Sequence, residues 1–81
     1  MHELSIALNI VEIAEEELAR HGGERVRAVH LQIGSLSGVA ADALRFSFGL
    51  ACEGTPVEGS RLILEETEGR NLEVLRMEIE P

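Results

Sequence analysis

The sequence has one cysteine, no lysine, two prolines and no long apolar run. Each shortage excludes something. With Cys52 alone, neither a disulfide framework nor a self-contained zinc module of paired CxxC motifs can staple the chain, so 81 residues must rely on an apolar core. Without lysine there can be no Walker-type phosphate loop, and no GxSxG, HExxH or GxGxxG motif occurs. All seven basic residues are arginines, set against 15 acidic ones; the formal net charge of −8 argues against nucleic acid as a partner. No stretch approaches the roughly 18 apolar residues of a membrane span, and Met1-His2-Glu3 lacks the cationic start of a secretory signal. The expectation is no membrane association and a reducing cytoplasm.

What is present reads as a single folded domain over residues 1–81. Hydrophobic residues make up 44% and charged residues 27%, with no repeat or linker-like tract, which suits one small globular core. From about Leu4 to His21, Leu4, Ala7, Leu8, Val11, Ala14 and Leu18 recur at helical spacing. Ile6, Ile10 and Ile13 widen the stripe, predicting a helix buried over more than half its circumference and ended by Gly22-Gly23. Arg25 to Ile33 alternates as a strand, with Val29, Leu31 and Ile33 on one face and Ala28, His30 and Gln32 on the other. After the turn-like Gly34 to Val39, a second helix is expected over Ala40 to Cys52, with Leu44, Phe48 and Ala51 along its seam.

Glu53 to Ser60 reads as a loop, and two strands follow, Arg61 to Glu66 and about Asn71 to Glu80. The intervening Thr67-Glu68-Gly69-Arg70 predicts a hairpin that makes these strands antiparallel neighbours, and the change of phase in the last strand predicts a bulge near Val74. The expected fold is a small α/β two-layer sandwich in the order α-β-α-β-β, with a three-stranded mixed sheet and two helices.

Several residues carry candidate chemistry. Cys52 ends an amphipathic helix, where a lone cysteine is usually a small buried hydrophobe and not a nucleophile. Glu15-Glu16-Glu17 and Glu65-Glu66 read as solvated acidic surface. His21 suits a helix C-terminus, and His30 reads as a partly exposed residue on a sheet face. His2 has no such structural reason. Next to the free α-amine, its backbone nitrogen and imidazole can close fused chelate rings on one ion, and a plane of nitrogen donors matches the tetragonal preference of Ni(II) or Cu(II). Tetrahedral Zn(II) fits this donor set poorly. A frayed terminus is the competing explanation.

The opening Met1-His2-Glu3-Leu4-Ser5-Ile6-Ala7 and the segment Val29-His30-Leu31-Gln32-Ile33-Gly34-Ser35-Leu36-Ser37-Gly38-Val39 are followed by Ala43 to Phe48 and Gly54-Thr55-Pro56. Together they resemble the HypA/HybF family of nickel metallochaperones in [NiFe]-hydrogenase maturation, some of which serve urease. The resemblance implies a small α/β nickel-binding domain. It places Ni(II) on the imidazole and backbone nitrogen of His2, on the backbone nitrogen of Glu3 and on the Met1 amine. It implies a maturation GTPase and the hydrogenase large subunit as partners. Family members also carry a zinc-binding module with two CxxC pairs; here its place is taken by the junction at residues 67–70, so zinc is not expected.

Two readings from other classes stand beside the carrier. One is a protein-interaction scaffold that docks a maturation partner through the first helix and the acidic surface, without significant metal binding. The other is a cysteine-dependent enzyme acting through Cys52. A homodimer formed by strand exchange is left open by the shortened link and a bared sheet edge.

Overall fold

The computed structural model describes residues 2–81. Five elements appear in the expected order: α1 (Glu3–His21), β1 (Arg25–Gly34), α2 (Ala41–Cys52), β2 (Arg61–Thr67) and β3 (Leu72–Glu80). Helix α1 ends at Gly22, whose φ of 70° turns its N–H back onto the Leu18 carbonyl. Only a residue without a Cβ adopts that backbone freely.

The buried seam of α1 is narrower than the apolar pattern predicts. Ala7, Ile10, Val11, Ala14 and Leu18 are buried, whereas Leu4, Leu8 and Ile13 are 48%, 52% and 42% exposed. Ala7 and Ala14 are fully buried, so small side chains mark the line of closest approach. The branched residues on the flanks have no third layer to enter.

The sheet order is β2-β1-β3, and this overturns the expected hairpin. Strand β1 lies between the other two, parallel to β2 through the α2 connection and antiparallel to β3. Burial explains the choice. Val26, Val29, Leu31 and Ile33 are buried on one face, and Ala28 and His30 on the other, so β1 is the strand that gains from neighbours on both edges. The glutamate-rich β2 and β3 take the edges, where charge discourages further pairing.

The link between β2 and β3 must therefore cross the end of β1. It spans two inter-strand spacings, about 10 Å, within the reach of four extended residues, about 13 Å. The crossing is held by three backbone hydrogen bonds. The N–H groups of Gly34, Ser35 and Leu36 donate to the carbonyls of Asn71, Thr67 and Gly69 at 2.7, 2.8 and 2.7 Å. A Cβ at Gly34 would collide with the Gly69 carbonyl and lie 2.8 Å from the Asn71 nitrogen, so glycine is required by close approach. The predicted bulge is present: the register slips opposite His30 and Leu31, passing from Arg76 to Val74 and leaving Leu75 unpaired.

Both helices pack on one sheet face. Their buried residues join Val29 and Leu31 of β1, Leu62 and Leu64 of β2, and Leu72, Val74, Met77 and Ile79 of β3 in one cluster. The opposite face has no helix over it, giving the two layers expected. Val57, inside the segment read as a plain loop, is fully buried in that core, and neighbouring Pro56 accepts the Val26 N–H at 3.0 Å. Among the described residues no helix is long and apolar enough to cross a membrane.

Candidate functional site

His2 is exposed and precedes the first turn of α1, with φ −94° and ψ 77° and no capping hydrogen bond from its side chain. Its carbonyl accepts the first helical bond, from the Ile6 N–H at 3.1 Å. The amides of Glu3, Leu4 and Ser5 come before that donor and have no intrahelical acceptor, as the geometry of any helix start dictates. Replacing an amide proton by a metal there breaks no helical bond. The electropositive helix end also favours an anionic amide nitrogen.

Glu3 divides its roles between backbone and side chain. Its carboxylate accepts the Ala40 N–H at 3.1 Å. That bond foremost, then the contact with Glu3's own N–H, holds the carboxyl below the usual glutamate value. The side chain thus bridges the start of α1 and the residue that precedes α2. Met1, the third residue of the expected donor set, lies outside the described residues. Among the described residues no group of three or more His, Cys, Asp or Glu side chains is gathered to hold a metal. The donors that the described residues offer at this terminus are the His2 imidazole and backbone nitrogens, a donor type that divalent nickel accepts in a plane.

The other candidate residues are occupied structurally. Cys52 is 2% exposed, and burial pushes its thiol up to about 11, which keeps it protonated and unreactive near neutral pH. Glu17 pairs with Arg20 at 2.7 Å, and the His21 Nε2 stands 4.0 Å from the same carboxylate. Glu65 pairs with Arg76 at 3.2 Å.

His30 departs from expectation. It lies on the uncovered sheet face yet is only 8% exposed, because long side chains from both edge strands close over it. Its Nε2 donates to Glu78 at 2.8 Å, and its Nδ1 faces Glu65 at 3.7 Å without a hydrogen-bond partner among the described residues. Arg61 approaches Glu78 at 3.6 Å, completing a row of polar side chains across β2, β1 and β3. Alternation put His30 on that face; the neighbours that bury it come from strands whose register is tertiary.

Comparison with known proteins adds the family. The sequence model described as hydrogenase/urease nickel incorporation, metallochaperone, hypA matches residues 1–72. Hydrogenase maturation factor HypA of Chloroflexus aurantiacus is 64% identical over 66 residues, covering 82% of this chain and 58% of that protein. The HypA of Chlorobaculum tepidum is 43% identical over 70 residues, covering 86% of this chain and 62% of that one. The chain thus spans less than two thirds of the length of these curated relatives. The solution structure of the Ni metallochaperone HypA from Helicobacter pylori superimposes with a TM-score of 0.75 at 15% identity, over 99% of this chain and 97% of that one, which establishes a shared fold. With the family model matched across both helices, the first two strands and the crossover, the chain belongs to the HypA family of hydrogenase/urease nickel-incorporation metallochaperones.

Proposed function

We propose that this chain is the nickel-binding domain of a metallochaperone, carrying one Ni(II) as cargo at its N-terminus. The donors are the His2 imidazole and backbone nitrogen, the Glu3 backbone nitrogen and the Met1 amine. The cargo passes to a maturation GTPase or to the hydrogenase large subunit, in a reducing cytoplasm. The observation that carries this reading is the exposed His2 at a helix start whose amides have no intrahelical acceptor. Family membership supports the choice of nickel over copper.

The domain is a carrier and not a catalyst: it binds and releases, and its one thiol is buried. Within these 81 residues the single cysteine leaves no set of thiolates for a structural zinc. The test is calorimetric titration of nickel into the untagged chain, alongside its absorption spectrum. Tight binding with a yellow square-planar complex is expected. It should be lost in His2→Ala and in a chain extended before Met1; undiminished affinity in both would refute the reading.

The scaffold reading, docking through the first helix and the acidic surface, has one observation in its favour: Leu4 and Leu8 of that helix are 48% and 52% exposed. It predicts partner capture that survives both His2→Ala and chelator.

A further inference from the structure

The loop between β1 and α2 is tied at both ends. At one end lie the three bonds from Gly34, Ser35 and Leu36 to the crossover. The middle is braced internally, with the Ser37 N–H donating to the Gly34 carbonyl at 3.0 Å and the Val39 N–H to Ser37 Oγ at 3.3 Å. At the other end Ala40 donates to the Glu3 carboxylate at 3.1 Å, while its carbonyl accepts the Leu44 N–H at 2.9 Å and so opens the ladder of α2. Helix α2 has no side-chain cap of its own. Glu3, 37 residues away in sequence, accepts the N–H of the N-cap residue itself, as the carboxylate of a capping box does, and brings its negative charge to the electropositive start of α2.

We infer that Glu3 is a positioning residue for the metal-binding terminus, its carboxylate docking the first turn of α1 onto a strap, Gly34 to Ala40, that is anchored in turn at the β2–β3 crossover. The physical reason lies in the terminus itself. Two of the proposed donors are backbone nitrogens, whose directions are set by the first turn of α1, and a helix end without a tertiary anchor frays. Ordering that turn before the ion arrives lowers the entropy to be lost on binding. The strap also places the crossover, some thirty residues further along the chain than Ala40, in mechanical contact with the terminus. A change there reaches the donors through Ser35, Ser37 and Ala40 and needs no side chain at the site.

The inference rests on nickel being held at His2 and Glu3, and its test separates the two. Nickel affinity and amide hydrogen exchange are measured on the untagged chain, on His2→Ala, on Glu3→Ala, on Glu3→Gln and on Ser37→Ala. Every substitution except His2→Ala leaves all the proposed donors in place. Glu3→Ala should weaken nickel binding roughly two- to tenfold, the range for losing one hydrogen bond, and speed exchange at Leu4, Ser5 and Ala40 in the metal-free protein. Glu3→Gln, which keeps an oxygen for the Ala40 N–H, should recover most of both losses. Ser37→Ala, remote from the terminus, should move affinity and Ala40 exchange in the same direction. Unchanged affinity in His2→Ala would overturn the nickel reading itself. Loss in His2→Ala with wild-type affinity in Glu3→Ala and Ser37→Ala would overturn the strap alone. Lower affinity in Glu3→Ala with unchanged exchange at Ala40 would also overturn it, since the carboxylate would then be acting on the ion directly.

Discussion

The Nε2 of His30 donates to the Glu78 carboxylate at 2.8 Å, joining the central strand to an edge strand on the sheet face that no helix covers. Glu78's carboxyl is held below its ordinary value of 4.5, chiefly by this bond and further by Arg61, His30 and Arg27. A depressed carboxyl contributes stability in full above its unfolded value, and that stability is lost as pH falls through the folded one. The melting temperature of the native chain should therefore exceed that of Glu78→Gln at pH 7, and the gap should close as pH drops below about 4.5. Thermal melts followed by circular dichroism from pH 7 to pH 3 check this.

Gly34 and Gly49 should respond to alanine in opposite ways. At Gly34 a methyl meets the crossover backbone, and overpacking of this kind costs about 1–3 kcal/mol. At Gly49, inside α2 with nothing within 4 Å of an added Cβ, alanine should stabilise by about 0.5–1 kcal/mol. Urea unfolding of the two variants measures both.

Leu44 and Leu8 test how narrow the buried helix seams are. Leu44 is fully buried, and Leu44→Ala should cost about 2–5 kcal/mol. Leu8 is 52% exposed, and Leu8→Ala should stay within about 0.5 kcal/mol. Equal losses at the two positions would mean that α1 is covered on its flank.

Cys52 should not react with a disulfide reagent at pH 8 while the domain is folded, because burial holds its thiol up at about 11. Adding denaturant should release one equivalent of thiol. Prompt labelling of the native chain would show that the end of α2 opens.

At the proposed site, nickel would displace protons from imidazole, amine and amide nitrogens, so acidification should release it. Loss of the nickel absorption band on titration from pH 8 to pH 5, with circular dichroism unchanged, is the expected outcome. Recovery on returning to pH 8 would show that the metal leaves a folded domain.

Much of this molecule was legible in its residues. Helix-spaced alanines and aliphatics specified α1, alternation specified β1, and the phase change near Val74 marked the bulge, because each is a local pattern set by backbone geometry. The proposed nickel terminus rests on sequence alone, since a chelate of consecutive nitrogens needs no fold. The order of the strands was not. Four residues after β2 suit a tight hairpin as well as a crossover, and the choice turned on β1, whose two apolar faces gain most at the centre of the sheet. That decision buried His30 between Glu65 and Glu78, drew the crossover over Gly34, and brought Ala40 to the Glu3 carboxylate. Sequence determined which nitrogens the N-terminal residues offer. Only the tertiary structure decided that the Glu3 carboxylate meets the Ala40 N–H, because contacts between residues 37 apart depend on how the layers pack.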